Sequence, residues 1–181
     1  MIPLYILGLL GRFGPQHGYQ IKKLVEEQLA DFTRIKLPTI YYHLEKMEKA
    51  GLVLARAGKD GARPEKMVYS ISPQGEVHFK DLLHETLDMQ YRPTFDVDAA
   101  FYFSDHLDSG ELLAGLEKHV QNLKQSLQRI EEHRSLTLPH LPHSMRISAD
   151  IIFEHHAAHY RAEIGWAEKA AHHIREGTEN D

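Results

Sequence analysis

One helix that ends at a glycine and runs into a hairpin constrains the fold of this chain more than any other feature. Between residues 37 and 50, Ile40, Leu44 and Met47 recur at spacings of four and three, which predicts a helix with one buried face. Gly51 stands where a glycine commonly ends a helix. We therefore expect a single amphipathic helix that stops abruptly before the next element.

Two short strands are predicted directly after this helix. Residues 52–55 and 67–71 are rich in apolar and β-branched side chains, which favours paired strands. The segment between them, residues 58–64, holds two glycines, a proline and the basic residues Lys59 and Arg63. This composition indicates a long, basic hairpin tip.

Two more helices are predicted before the hairpin. The run Ile2–Leu10 is apolar on nearly every face, so a helix there must be buried all round, and residues 11–15 are expected to end it. Residues 18–30 repeat apolar side chains at helical spacing. Three helices followed by a two-stranded hairpin form a winged helix-turn-helix, whose third helix lies in the DNA major groove while the hairpin tip reaches the flanking backbone or minor groove.

The third helix carries side chains that suit DNA contact. Its outward face presents groups that hydrogen-bond phosphates and base edges, namely Thr39, Tyr41, Tyr42, His43 and Lys46. The backbone amides at its start are expected to receive a phosphate. Flanking segments add positive charge at Arg34, Lys36, Lys59, Arg63 and Lys66. We predict that these residues form a DNA-binding surface.

The second half of the chain is predicted to be helical throughout. Its helices are expected over the approximate ranges 72–87, 96–103, 110–134 and 144–175, with a frayed tail after them. We therefore predict a mainly α protein with two domains. Residues 1–90 form the winged helix-turn-helix with its two-stranded wing, and residues 91–181 form a C-terminal helical dimerisation and effector-binding domain.

Two apolar seams make the second half a candidate dimer interface. One runs through Leu113, Leu116, Val120, Leu123, Leu127 and Ile130 at alternating spacings of three and four, which is typical of a coiled coil. The other runs through Ile152, His155, His159, Ala162, Trp166, Ala170 and His173. Because winged domains commonly pair about a two-fold axis, we expect one seam to pack within the chain and one across the dimer axis.

Charge is divided between the two halves. Residues 1–72 hold 11 Lys and Arg against 7 Asp and Glu, and residues 73–181 hold 10 against 19, so the formal net charge is −5. A basic first half and an acidic second half indicate a nucleic-acid-binding head and a body that avoids polyanions. The chain has no cysteine, which excludes disulfides, cysteine-ligated metals and thiol catalysis and fits a cytoplasmic protein. The sequence predicts neither a signal peptide nor a membrane span.

At these residues the sequence resembles the PadR family of bacterial transcription regulators. The likeness lies in His17-Gly18-Tyr19, in Thr39-Ile40-Tyr41 with Leu44, Lys46, Met47 and Glu48, and in Gly51-Leu52-Val53. It continues through Arg63-Pro64 and Tyr69-Ser70-Ile71 to Gly75, and residues 162–166 resemble the family's late Glu-x-x-Trp pattern. One departure is Ser72, where the family commonly has threonine.

The resemblance implies a function and assigns roles to three sites. It implies a homodimeric, usually repressing regulator that binds inverted repeats and is released by a small, often aromatic molecule near the dimer interface. The family's DNA-contacting tyrosine corresponds to Tyr41, its contacts at the start of the second helix to His17, Gly18 and Tyr19, and its wing contact to Arg63.

The last helix carries the candidate effector site. Trp166 can stack on a planar ligand, and His155 and His159 share its seam, so we predict that these three residues line an effector pocket, with the region around Tyr102 and Phe103 as the alternative. A metal site is the rival interpretation, because His155, His159 and Glu163 follow one another at intervals of four. Chance pairs are expected among the 12 histidines that residues 73–181 hold, out of 14 in the chain, so we predict no metal and no cofactor.

The sequence thus predicts a DNA-binding transcriptional regulator with no catalytic residues. Its partners are expected to be duplex DNA with an inverted-repeat operator, a second copy of the chain and a small aromatic effector. Two alternatives remain open: a winged-helix module that binds protein instead of DNA, and a histidine-based metal-binding protein or metal-dependent enzyme. The sequence does not distinguish a repressor from an activator.

Overall fold

The computed structural model describes residues 1–29, 33–58 and 66–179. The helices are α1 (Ile2–Phe13), α2 (Gly18–Gln28), α3 (Leu37–Lys49), α4 (Pro73–Leu87), α5 (Asp98–Tyr102), α6 (Ser109–Thr137) and α7 (His143–Glu179), and the strands are β1 (Gln16–His17), β2 (Val53–Gly58) and β3 (Lys66–Ile71). The chain divides into two compact units, Met1–Arg92 and Pro93–Asp181, called here the winged unit and the helical unit. None of the described helices is both long enough and apolar enough to cross a membrane.

The winged unit is built around one apolar core. Its centre is α1, which packs against α2, α3, α4 and β3 and buries the side chains Ile6, Leu7, Leu9 and Leu10. The face of α3 predicted from its periodicity completes this core, since Ile40 and Leu44 are fully buried and Met47 nearly so. A helix that is apolar on all faces is therefore accommodated by surrounding it with the other elements of the unit.

The sheet of this unit has one strand more than the predicted two-stranded wing. β2 and β3 pair antiparallel from Val53 opposite Ile71 to Gly58 opposite Lys66. The two-residue strand β1 joins the free edge of β3, with Gln16 opposite Tyr69. Two residues are too few to show an alternating pattern in the sequence, so this strand could be found only from the tertiary pairing.

The helix boundaries of the winged unit follow local chemistry. Helix α1 includes Gly11 and ends at Phe13, inside the predicted range 11–15, because Gly14 has a positive φ of 74° and Pro15 follows. One glycine inside a helix costs about 1 kcal/mol and does not end it. The start of α4 is capped as its sequence suggests: the Ser72 hydroxyl accepts a hydrogen bond from the Gly75 amide at 2.9 Å and donates one to the Gly51 carbonyl at 2.6 Å.

The helical unit is dominated by the pairing of α6 with α7. The seam predicted in α6 is used inside the chain: Leu116 packs with Ala167 and Ala171, and Ile130 packs with Phe153 and Ala157 in a second cluster. Most residues of the seam predicted in α7 do not lie on the face of α7 that packs against α6. The seam members Ile152, His155, His159, Ala162 and Trp166 are exposed, while Ala170 packs against the α6 cluster.

Both long helices extend further than predicted. Helix α6 continues past Arg134 to Thr137, and α7 continues past Arg175 to Glu179, although the tail from residue 176 was expected to fray. The short helix α5 is reduced to Asp98–Tyr102 and is followed by a 3₁₀ turn at Ser104–His106. The start of α6 forms a capping box, in which Asp108 accepts from the Glu111 amide at 2.8 Å and its own amide donates to Glu111 at 3.0 Å.

Candidate nucleic-acid interface

The outward face of α3 is the candidate DNA-contacting surface. With Ile40, Leu44 and Met47 turned into the core, Tyr41 and Tyr42 are left 40% and 60% exposed on the other side of the helix. Both tyrosines are large amphipathic side chains held on a regular helix whose other face is fixed by the core. Their phenol groups are therefore presented to the solvent at a defined position.

Tyr41 is seated on the start of α2. A Cβ atom built on Gly18 would stand 2.5 Å from Cε1 and 2.7 Å from Cζ of the Tyr41 ring, well inside van der Waals contact. Gly18 is buried, and its backbone does not take the left-handed conformation. A side chain at position 18 would therefore displace the Tyr41 ring, and the glycine lets the ring lie directly against the start of α2.

The two neighbours of Gly18 differ in how they can serve the surface. Tyr19 is 67% exposed. His17 is half-buried, and its Nδ1 lies 3.1 Å from the carbonyl oxygen of Met67. Because a carbonyl oxygen only accepts, this contact needs a hydrogen on Nδ1 and leaves Nε2 for another partner. His17 therefore ties the start of α2 to β3, and its backbone amide donates to the Gln20 side chain at 2.9 Å.

Positive charge on and beside α3 is not neutralised within the described part of the winged unit. Lys36 and Lys46 are exposed, and neither has an ion-pair partner there. The start of the helix offers fewer donors than expected, because Pro38 has no N–H and the amides of Thr39 and Ile40 both bind the Lys36 carbonyl. A phosphate near this helix would be attracted by lysine side chains more than by the helix start.

His43 and Thr39 are half-buried, whereas the other residues predicted to contact DNA from α3 are exposed. The Nδ1 of His43 is buried without a hydrogen-bond partner among the described residues, and its ring meets Tyr42 edge-on at 5.1 Å between centroids. Burial, followed by the charges of Lys46 and of the amino terminus, lowers the pKa of His43. The imidazole is therefore neutral at pH 7 and contributes no charge to the surface.

The predicted wing contacts are only partly placed. Lys59 and Arg63 lie outside the described residues. Lys66 begins β3 opposite Gly58, and its side chain is also outside the described part of the chain. The charge expected at the hairpin tip therefore stays a prediction from the sequence.

The three candidate effector residues of α7 do not converge on one cavity. His155 and His159 are exposed, with ring centroids 4.9 Å apart. Trp166 lies eleven residues after His155, about 16 Å further along the helix, and packs edge-on against Phe101 at 5.6 Å. None of the three lines the cavity beside α5 and α6 that is described below, or the cavity beside Arg34 and Lys36 in the winged unit.

The alternative of a metal site on α7 needs Glu163 as a third ligand beside His155 and His159. Glu163 approaches His119 of α6, with 3.8 Å between its Oε1 and the His119 Nε2. Among the described residues no group of three His, Asp or Glu side chains is arranged to hold an ion.

A cavity in the helical unit was missed by the sequence analysis. It measures about 460 Å³ and is lined by the loop before α5, by α5 and by the first half of α6, including Asp96, Phe101, Glu111 and His119. The signal that could have drawn attention to it is Gly115, a glycine inside the leucine seam of α6. A Cβ atom built on Gly115 meets no atom within 4 Å, so this glycine leaves open space beside α6.

Comparison with known proteins finds a family model that resembles part of the winged unit. Residues 6–81 match the family described as the transcriptional regulator PadR-like family. The negative transcriptional regulator PadR of Bacillus subtilis (strain 168) is 32% identical over 98 residues. That alignment covers 53% of this chain and 53% of the relative, so the chain spans about half the length of the curated relative it matches.

Solved structures of similar fold cover nearly the whole chain. The crystal structure of Bacillus subtilis PadR in complex with operator DNA aligns with a TM-score of 0.75 and 21% identity over 96% of this chain and 97% of that one. The structure of the same protein in complex with p-coumaric acid aligns with a TM-score of 0.72 and 22% identity over 96% and 98%. At these identities the likeness establishes a shared fold.

Proposed function

We propose that this chain is a member of the PadR-like family, whose model matches residues 6–81, and that it is a sequence-specific DNA-binding regulator. It acts as a homodimeric repressor that a small aromatic effector releases from an inverted-repeat operator. The observation that carries the proposal is the exposed face of α3, where Tyr41, Tyr42 and Lys46 project from a helix whose opposite face is locked in the core. The proposal includes that the protein acts in the cytoplasm, and DNA binding requires no catalytic residue.

The roles of individual residues follow from where they lie. Tyr41 and Tyr42 reach base edges, and Tyr19 contacts the backbone beside them, whereas Lys36 and Lys46 attract phosphates. Gly18 and His17 hold the surface in shape, and the Nε2 of His17 remains available for a phosphate. Lys59, Arg63 and Lys66 on the wing contact the flanking DNA, as their charge suggests.

Dimerisation is proposed through the exposed face of α7. The residues Ile151, Ile152, His155, His159, Ala162 and Trp166, called here the α7 outer stripe, follow one another at helical spacing and are all exposed. Isoleucine side chains in water are unfavourable by about 1.5–3 kcal/mol each relative to full burial, so this stripe favours association with a second copy. A two-fold axis there would double the DNA-reading surface.

Repression and release are inferred from relatives. The Bacillus subtilis relative is described as a negative regulator, and that protein has been crystallised with operator DNA and with p-coumaric acid. A ligand releases DNA only to the extent that it prefers the arrangement that does not bind DNA. A tenfold loss of operator affinity needs a preference of about 1.4 kcal/mol, which one stacked ring can supply.

The proposal is tested by selecting binding sites from a random duplex pool with the full-length protein and measuring affinity for the selected site. We expect an inverted repeat with half-sites about one helical turn, or a multiple, apart. If each protomer neutralises about four phosphates, the logarithm of affinity should fall with the logarithm of salt with a slope of about −7. A slope shallower than about −2, or no selected motif, would favour a winged module that binds protein.

Tyr41→Ala tests the contact surface itself. Operator affinity should fall by about 1–3 kcal/mol while the melting temperature changes little. Tyr102→Ala, which removes a tyrosine that is 82% exposed in the helical unit, is the matched control and should bind DNA like the parent protein. An unfolded Tyr41→Ala protein would show that the tyrosine supports the core instead.

A further inference from the structure

The cavity at the start of the helical unit has an apolar floor. Leu116 is nearly fully buried at its base, and Phe101 and Leu112 line its walls. A volume of about 460 Å³ is some three times that of an apolar cavity known to hold benzene, which is about 150 Å³. One aromatic ring with a short side chain fits such a space.

The edge of this cavity is negatively charged. Asp96 and Glu111 both line it, and no lysine or arginine does so among the described residues. One oxygen of Glu111 accepts a hydrogen bond from the Asp108 amide at 3.0 Å, which fixes the position of that carboxylate. Asp96 has no side-chain partner within the described part of the chain. Two carboxylates without a nearby cation attract a positively charged group and repel an anion.

His119 also lines this cavity. Its Nε2 atom is buried, and a carboxylate oxygen of Glu163 lies 3.8 Å from it. Because this atom is not accessible from the cavity, His119 offers a ligand the exposed part of its ring and not this nitrogen. The cavity thus combines an apolar floor with an acidic edge.

We propose that this cavity binds a small aromatic amine, a planar ring with a protonated amino group on a short chain, whose ring packs against Phe101 while the ammonium group pairs with Asp96 and Glu111. This assignment rests on the proposed function in one respect only, that the bound amine acts as the effector. It moves the effector site from the α7 outer stripe to the opposite side of the Phe101–Trp166 contact. The proposed ligand is positively charged and so differs from p-coumaric acid, the aromatic acid crystallised with Bacillus subtilis PadR.

Trp166 is a built-in reporter of this site. It is the single tryptophan of the chain, and its ring lies 5.6 Å from that of Phe101, which lines the cavity. A ligand that packs against Phe101 therefore changes the surroundings of the fluorophore without having to touch it. Calorimetric titration of the full-length protein gives the affinity independently of this signal.

Two compounds with the same ring test the charge preference. Tyramine and 3-(4-hydroxyphenyl)propionate share a phenol and a short chain and end in an ammonium and a carboxylate. We expect tyramine to bind at least tenfold more tightly and to alter Trp166 fluorescence over the same concentration range. Equal or tighter binding of the acid would overturn the proposal, as would no binding of either compound.

Substitutions then locate the site. Asp96→Asn combined with Glu111→Gln should reduce tyramine affinity at least tenfold and remove the preference over the acid, and glutamine retains the capping contact with Asp108. Gly115→Leu should fill the cavity, because a Cβ at Gly115 meets no atom within 4 Å and the residue lines the space. Gly177→Leu, at an exposed α7 position that is equally open, is the matched control and should bind tyramine normally. Unchanged tyramine binding by Gly115→Leu would overturn the assignment.

DNA binding is measured separately, in the absence of any ligand. If the protein selects an operator but binds neither compound in the cavity, only the cavity assignment fails. If tyramine binds as described but no operator is selected, the proposed function fails and the ligand site stands. If both bind, tyramine should lower operator affinity in the parent protein and leave the Gly115→Leu variant unaffected.

Discussion

The two units of this protein bury their apolar residues in different ways. The largest fully buried side chains among the described residues all come before residue 54 and belong to one cluster in the winged unit: Ile6, Leu7, Leu10, Ile21, Val25, Ile40, Leu44 and Val53. The helical unit has two separate small clusters, in which alanines of α7 pack against single leucine or isoleucine residues of α6. The winged unit thus has one continuous core, whereas the helical unit is dominated by a long helix pair with a small interior.

The difference shows what each unit is built for. Small residues such as Ala157, Ala167 and Ala171 let α6 and α7 approach closely, but they bury little area. Several bulky side chains of the helical unit remain exposed, among them Ile151 and Ile152 on the α7 outer stripe. Burying these exposed isoleucines against a second copy would stabilise the helical unit, because apolar surface would be removed from water. This supports the proposal that the dimer contact lies on the α7 outer stripe.

The units also differ in how they use charge. In the helical unit, ion pairs bridge α6 and α7, as between Lys124 and Glu168 at 2.7 Å and between Arg161 and Glu131 at 2.8 Å. In the winged unit the ion pairs among described residues lie within α2, and the lysines of α3 have none. Neutralised charge stabilises a fold modestly, while unpaired positive charge is what a polyanion recognises.

The largest expected effect concerns the two cores. Leu44→Ala, which empties a fully buried position of the winged core, should lower the free energy of unfolding by about 3–5 kcal/mol. Leu116→Ala in the helical unit should cost less, about 2–3 kcal/mol, because the removed side chain borders a cavity and fewer contacts are lost. Urea unfolding at one fixed protein concentration measures both. Equal costs would mean that the two cores are packed alike.

The next effect tests the uncovered stripe. Ile151→Lys should weaken the dimer by about 2–4 kcal/mol. The reason is that both protomers contribute Ile151 to the same two-fold interface, so the substitution removes two isoleucine side chains from it. Leu136→Lys, at a position that is 70% exposed and off the stripe, is the control and should leave the dimer intact. Sedimentation equilibrium measures the dissociation constants, and helix content by circular dichroism should be unchanged in both. A dimer that tolerates Ile151→Lys would place the interface elsewhere.

A smaller effect tests how α2 supports α3. Gly18→Ala should displace the Tyr41 ring and reduce operator affinity by about 1–2 kcal/mol, while Gly11→Ala, at an open position of α1, should not. In a Tyr41→Ala background, Gly18→Ala should have almost no further effect, because the ring that it displaces is already gone. Additive losses in this double-mutant cycle would show that Gly18 acts independently of Tyr41.

The smallest effect is a pH dependence of the winged unit. Because burial lowers the pKa of His43, the folded protein favours the neutral imidazole, whereas the unfolded chain binds a proton near the usual value of about 6.5. The stability that His43 contributes is therefore complete above that value and is lost as the pH falls through it toward the lower folded-state pKa. His43→Gln should flatten the change in unfolding free energy between pH 7.5 and 5.5, and the exposed His140→Gln should not.

Periodicity was enough to predict most elements, because it reports which side of a helix or strand is buried. Ile40, Leu44 and Met47 are spaced so that only one orientation of α3 buries all three, and the structure has that orientation. The order of three helices and a hairpin then predicted the winged fold. The seam of α6 was equally clear, since its residues pack against one neighbouring helix.

Some features could not be predicted because they depend on distant partners. The strand β1 exists only because residues 16 and 17 meet the edge of β3. The wing tip residues Lys59 and Arg63 and the contact roles of the α3 residues stay predictions. The effector pocket expected around His155, His159 and Trp166 remains a prediction as well, and the structure offers a cavity on the far side of Phe101 that the sequence did not reveal.

The sequence by itself determined the elements, their buried faces and the separation of basic from acidic halves, because these follow from side chains at fixed spacing along one chain. Only the tertiary structure decided that Gly18 makes room for Tyr41, that α6 satisfies its seam inside the chain while α7 keeps a stripe exposed, and that Asp96 and Glu111 share a cavity. The physical reason is that each of these relations joins residues on different elements. Their distances are set by how the elements pack, and no local pattern records that.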